Sequence, residues 1–317
     1  MICRMRDNQF QTRDQPCIGV SRCLLGDAVR YDGGHKKQDW LVTDLVPHVE
    51  VLPVCPEVLI GLGVPRPPLR LVQGVDGIRA RGVADPQLDV TEAMQQFARQ
   101  LLAEQRALDG WIFKSRSPSC GVSDVPVFHP DSNTLATGQG LFAEALMKAL
   151  PLMPVADELE LYDPSQRDSF IERLFVYRRY RRWFANGLTL ERLQGFHCGL
   201  RGHLLARDEQ VWARLDRVVA QGHDPGQDIP AYLQQVMKIL TRPVTRGGLA
   251  QALLACGEEA PGGDKDIATG IHAYLAGRVD LQTVVRQWQG KPDLEPCFLL
   301  DPEPAEITLR YGAATMP

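Results

Sequence analysis

The chain has no uninterrupted apolar run of the roughly 18 residues that a membrane-spanning helix requires, and its opening MICRMRDNQF holds no apolar export core. It has no excess of one charge sign: 35 Lys and Arg face 39 Asp and Glu, a net charge of −4. That balance excludes a chain that coats nucleic acid along its whole length, while leaving room for a local basic patch. Cysteine is scarce. Eight in 317 residues are too few for a disulfide framework, and without an export signal the thiols are expected to stay reduced in a cytoplasmic setting. Internal repeats and long low-complexity tracts are also missing. What is present is an ordinary 44% of hydrophobic residues, enough for a buried core. At roughly 150 residues per domain the length implies two domains.

In the first half, short apolar runs alternate with helical spacing, the pattern of an open, mainly parallel α/β sheet. The expected strands are Cys17 to Ser21 (CIGVS), Val49 to Val54 (VEVLPV) and Gly110 to Lys114 (GWIFK). A helix is expected from Val90 to Leu108, with Asp89 placed to cap it, and another over Gln139 to Ala149. The Pro- and Gly-rich stretch Val64 to Ala84 reads as an excursion with one hairpin. From Asp157 onward Ala, Leu, Arg and Gln rise and β-branched runs vanish, so an all-α second domain follows. The expected domains are residues 15–156 and 165–317.

Three cysteines fall just past the ends of the three expected strands. Cys23 follows CIGVS, Cys55 follows VEVLPV, and Cys120 closes the SRSPSC string after GWIFK. In an open parallel sheet those strand ends share one edge, where ligand sites collect. The three can therefore meet in space without any local CxxC spacing. Three thiolates suit either an iron–sulfur cluster with one iron left open or a zinc ion that keeps a water. Cys3, Cys17, Cys198, Cys256 and Cys297 lack such loop contexts and read as packing residues.

Other chemistry-bearing residues share that edge. Glu57, two positions after Cys55 across Pro56, is a candidate general acid or base. Ser117 and Ser119 flank Pro118 and could orient a water or a substrate carbonyl. Arg30 and Tyr31 open the RYDGGHK string after Cys23, and a cation beside a ring suits a nucleobase or a phosphate. Lys114, ahead of the serine loop, and Arg66, after Pro65, add positive charge. The expected substrate-binding residues are Arg30, Tyr31, Lys114 and Ser119.

Together SRCLLGDAVRYDGGHKK, PVCPEVLIGLGVPRPPLRLV and FKSRSPSCGV resemble the thiouracil desulfidase (TudS-like) family over residues 15–155, with the three blocks in the family's order. The second half, with FVYRRYRRWF and FHCGLRGHLLARDEQVWARLDRVVA, resembles the YbgA-type domain. Fusion of the two is similar to tRNA 4-thiouridine desulfidases (RudS-like). From about Pro243 onward the chain departs from that pattern. The resemblance implies a [4Fe-4S] cluster held by Cys23, Cys55 and Cys120, with Glu57 of the CPE motif as catalytic glutamate and Ser117, ahead of Ser119, as catalytic serine. It further implies sulfur-for-oxygen exchange at C4 of 4-thiouridine in tRNA, or on a free thiouracil or thiopyrimidine nucleotide. The other class left open is a zinc-stabilised nucleic-acid-binding module. A radical cluster enzyme is disfavoured, since the closely spaced cysteine triplet of that class is missing.

In the second half Arg178, Arg179, Arg181 and Arg182 lie in a segment that holds no acid between 173 and 182 and interleaves Tyr177, Tyr180 and Trp183. On a helix such residues form a basic face with rings for stacking, and with the resemblance they are the expected tRNA contacts. His197 and His203 lack metal spacing and read as packing or surface residues.

Overall fold

The computed structural model describes residues 15–104, 107–129, 134–221, 225–258, 265–288, 306 and 309–310. Cys3 and Cys297 lie outside the described residues, as does the Cys256 side chain. The chain divides into two compact units, Gln15–Arg167 and Asp168 onward.

The first unit is α/β. Strands β1 (Cys17–Ser21), β2 (Glu50–Val54), β5 (Gly110–Phe113) and β8 (Val155–Asp157) form a fully parallel sheet in the order β2-β1-β5-β8. Every residue of β1 and β5 is buried, which is why both read as continuous apolar runs rather than alternating ones. The start of the sheet is clamped by Asp109. Its carboxylate accepts the Cys17 N–H at 2.9 Å, and its own N–H donates to the Cys17 carbonyl at 2.7 Å. Gly19 in β1 is required by packing, since a Cβ there would lie 2.1 Å from the Trp111 ring.

Strands β3 (Leu69–Gly74) and β4 (Gly77–Gly82) make the hairpin expected in the Pro/Gly-rich excursion. It joins β6 (Val125–Phe128) and β7 (Thr134–Gly138) in a second, mixed sheet of order β4-β3-β6-β7. Helix α1 (Pro56–Leu59) is a single turn. Helices α2 (Thr91–Ala103) and α3 (Leu141–Ala149) pack against each other, with Phe97 stacked on Phe142 at 5.5 Å. Helix α2 ends five residues before Leu108, which is nevertheless buried. Asp89 accepts the Thr91 N–H at 3.1 Å and is shared with Arg79 and Arg81 of β4, so one carboxylate ties the hairpin to the helix start. Trp111, Phe113 and Phe142 form the centre of the core. Each contributes about 1.5–3 kcal/mol by burial.

The second unit is helical: α4 (Pro164–Trp183), α5 (Leu190–Gly199), α6 (Arg201–Leu205), α7 (Glu209–Gln221), α8 (Pro225–Leu240), α9 (Arg246–Glu258), α10 (Lys265–Leu275) and α11 (Leu281–Trp288). Among the described residues no helix is long and apolar enough to cross a membrane.

Helix α4 does not present an open face of four arginines. Arg178 and Arg179 are buried, and Arg181 and Arg182 are half-buried. The reason is a buried ionic network that sequence spacing could not reveal. Arg179 pairs with Glu306, Arg310 reaches Glu306 and Asp168, and Glu172 of α4 holds His203 and Arg207. Such charges are tolerated inside because each meets its opposite. His197 and His203 are both packing residues: His197 stacks on Trp212 at 4.1 Å and bonds the Tyr232 hydroxyl at 2.8 Å.

Candidate active site

The carboxyl ends of β2, β1 and β5 are neighbours in the parallel sheet, and the chain leaving each carries one of the three cysteines. Cys23 sits in the 3-10 turn Arg22–Leu25 directly after β1. Cys55 stands between β2 and α1. Cys120 ends the loop that leaves β5. All three line one cavity of about 450 Å³. Burial pushes the Cys23 thiol up to about 11, with the neighbouring Cys55 adding to the effect. Burial likewise raises Cys55, and it raises the fully enclosed Cys120 well above an ordinary thiol, with Glu57, Cys23 and Cys55 all adding to it. Buried thiols that oppose one another's ionisation are a donor set that a cationic metal group would relieve.

Among the described residues no three His, Cys, Asp or Glu side chains converge closely enough to hold a single metal ion. The thiols instead face a shared hollow. Three cavity-lining thiols are a donor set of the kind that an iron–sulfur cluster or a zinc ion takes.

The loop from Lys114 to Gly121 is held from both sides. Glu158, the residue after β8, accepts the Ser115 N–H and hydroxyl, each at 2.7 Å, and pairs with Lys114. Lys114 also donates to the Ser115 carbonyl at 3.0 Å and to its hydroxyl at 2.9 Å. On the other side, the first amides of α3 close on the loop's carbonyls. Leu141 N–H donates to Pro118 O, Phe142 and Ala143 N–H to Ser119 O, and Gly140 N–H to Gly121 O. The helix start is thereby satisfied by the cysteine loop itself.

The two serines differ in what they touch. Ser117 Oγ accepts the Ser119 N–H at 3.2 Å and the Cys120 N–H at 3.1 Å, bracing the turn that aims Cys120. Ser119, almost fully buried, donates to Glu57 Oε1 at 2.7 Å. The other carboxylate oxygen of Glu57 accepts Arg66 Nε at 2.7 Å. Glu57 is thus a carboxylate with a fixed orientation at the cavity wall, braced by one hydroxyl and one cation.

The RYDGGHK string folds back over the same cavity. Gly33 takes a φ of +77° in the turn, and Lys36 N–H returns to the Cys23 carbonyl at 2.9 Å. Arg30 and Tyr31 line the cavity with the guanidinium 5.5 Å from the ring centroid, and Tyr31 is 42% exposed at the rim. Lys36 and Arg116 add cations to the wall. The structure therefore brings together Cys23, Cys55, Cys120, Glu57, Ser117, Arg30, Tyr31 and Lys114 around one hollow, with Ser119 behind Glu57. Arg178, Arg179, Arg181 and Arg182 belong to the helical unit. Sequence reasoning missed Glu158, for which no local signal exists, and the clamping geometry of Arg66.

Fold and cavity define the class: an α/β domain with a cysteine-lined cavity at the carboxyl edge of a parallel sheet. The family model for 2-thiouracil desulfurase matches residues 18–158. The uncharacterized protein YbbK of Bacillus subtilis is 33% identical over 138 residues, which are 42% of this chain and 90% of that protein. The chain belongs to the 2-thiouracil desulfurase family. A solved structure similar to it is that of the [4Fe-4S]-dependent thiouracil desulfidase TudS, 31% identical, covering 47% of this chain and 94% of that one at a TM-score of 0.39. The family model ends before the helical unit.

Proposed function

We propose that the protein is an iron–sulfur-dependent desulfidase that exchanges the thiocarbonyl sulfur of a thiopyrimidine for a water oxygen. The observation that carries this is the convergence of Cys23, Cys55 and Cys120 with Glu57 on a single cavity. In this reading the three thiols hold a [4Fe-4S] cluster. When bound, the cluster supplies an iron that no protein sulfur caps, a soft Lewis acid matched to the thiocarbonyl sulfur. The remaining work falls to the chain. Glu57 takes a proton from the water that attacks the ring carbon and passes it to the departing sulfur. The balance is thiocarbonyl plus water giving carbonyl plus hydrogen sulfide, with no net electron transfer.

Sequence reading puts the catalytic serine at Ser117. The geometry favours Ser119 as the hydroxyl that orients Glu57, with Ser117 holding the Cys120 turn. Arg30 and Tyr31 at the rim hold the base and its substituents, while Lys114, with three bonds to Ser115 and Glu158, sets the loop.

For the form of the substrate, we read 4-thiouridine carried in tRNA, ahead of free thiouracil or a nucleotide. Arg30, Lys36 and Arg116 on the cavity wall support it by offering cations to phosphates beside the base. The more exposed members of the α4 set, Arg181 and Arg182, are the remaining candidates for RNA contact in the helical unit. Replacing Cys120 by Ala should abolish both brown colour and sulfide release, whereas Glu57→Ala should keep the iron and lose turnover. A colourless protein that still desulfidates contradicts the reading. Charge reversal at Arg181 and Arg182 should impair tRNA turnover and spare free 4-thiouracil; equal activity on both substrates would remove the helical unit from substrate recognition.

A further inference from the structure

Arg66 is the most enclosed cation of the cavity, its side chain only 3% exposed. Enclosing a guanidinium costs several kcal/mol unless its donors are used. Here they are. Nε donates to Glu57 Oε2 at 2.7 Å, Nη1 to the carbonyls of Val29 at 2.9 Å and Gly63 at 3.0 Å, and Nη2 lies 3.8 Å from Cys55 Sγ. Its backbone N–H donates to the Tyr31 carbonyl at 2.9 Å, pinning it to the rim string. The Val29 carbonyl that Arg66 engages is also the acceptor facing Cys55 Sγ at 3.7 Å. One planar fork therefore spans a carboxylate, a ligand sulfur and the loop after β1.

We propose that Arg66 is a positioning residue that fixes the Glu57 carboxylate and the Cys55 sulfur in one arrangement, so that base and metal ligand cannot shift independently. This rests on the desulfidase reading for Glu57 and on the thiols as metal ligands. A lysine keeps the charge but has no fork, and it cannot reach both partners at once. A role in charge alone would survive Arg66→Lys; a bridging role would not.

The test compares wild type with Arg66→Lys, both purified anaerobically as holoprotein. Two measurements are taken: kcat and KM on 4-thiouracil, and the rate at which iron passes to a chelator in the absence of substrate. The proposal expects kcat to fall about 10²-fold, the penalty of a base misplaced by about an ångström, with KM within about two-fold. It also expects iron to leave about ten-fold faster, the effect of losing a partner that supports a metal ligand. Wild-type values for both would overturn it, and so would a rise in KM alone. If wild type holds iron yet releases no sulfide from either 4-thiouracil or tRNA carrying 4-thiouridine, the desulfidase reading fails by itself. The chelator rate then decides for Arg66, with faster release upholding its tie to Cys55 and an unchanged rate overturning it. Should the lysine variant not fold, Arg66→Gln, which retains an amide NH2 but neither the charge nor the fork, is put through the same pair of measurements with the same expectations.

Discussion

Gly140 offers a perturbation that reaches the cysteine loop without touching any reactive group. Its backbone is ordinary, with φ −64° and ψ 138°, so alanine adopts that conformation without strain. The obstacle is space. A Cβ at this position would lie 2.5 Å from the Ser119 carbonyl carbon, 2.6 Å from its oxygen and 2.7 Å from the Cys120 nitrogen. Ordinary carbon contacts begin near 3.5 Å, so the peptide joining Ser119 to Cys120 must retreat by about 1 Å. Backbone, unlike the tip of a long side chain, yields at a cost. The same peptide is held by the first amides of α3 and by Ser117.

We expect Gly140→Ala to destabilise the α/β unit by about 1–3 kcal/mol, the usual penalty of overpacking. It should lower desulfidation about 10²-fold through displacement of Ser119 and Cys120, with reduced iron per chain. The control is Gly247→Ala in the helical unit, where nothing lies within 4 Å of the added carbon; there activity and iron stay unchanged. Thermal unfolding, iron determination and steady-state kinetics on 4-thiouracil read the three effects. A Gly140→Ala protein with wild-type melting, iron and rate would refute the claim that the loop is locked against α3.

Ser119→Ala removes the hydroxyl bonded to Glu57, a charge-assisted bond of about 1.5–3 kcal/mol. It should lower kcat about ten- to hundred-fold with iron retained, whereas Ser117→Ala should loosen the Cys120 turn and speed iron loss more than it slows a loaded enzyme. Iron content and kcat measured side by side separate the two, and interchanged outcomes would restore Ser117 as the catalytic serine. In the helical unit, burial lowers His197 from 6.5 to about 4, with Asp216 opposing the shift. The unfolded chain therefore binds a proton between those values while the folded one does not, so the stability of this unit should fall as pH drops from 6.5 towards 4, by up to about 3 kcal/mol. Urea unfolding followed by circular dichroism at several pH values checks it, and His197→Gln should flatten the slope.

The two central strands of the parallel sheet, β1 and β5, were legible because burial on both faces makes them read as unbroken apolar runs. CIGVS and GWIFK appear in the structure within a residue of their expected limits. The meeting of the three cysteines at one cavity was legible because each follows a strand, and sheet topology converts that local fact into a shared edge. What was not legible depends on distant partners. Strand β8 is only three residues long, and nothing local marks Glu158 as the brace of the Ser115 loop. Nothing in the order Ser117-Pro118-Ser119 says which hydroxyl faces Glu57 either, because that is settled by the amides of α3 seated on the loop. The α4 arginines show the converse error. Spacing describes a helix face, but whether the face meets water is decided by acids such as Glu306 from far along the chain.

The central claim is that Cys23, Cys55 and Cys120 share one multinuclear iron centre. Iron, acid-labile sulfide and zinc measured per chain on anaerobically purified protein test it most directly. The account predicts about four iron and four sulfide per chain, lost when any one of the three cysteines is replaced by alanine. One zinc per chain with no iron, or iron that survives all three replacements, would contradict it.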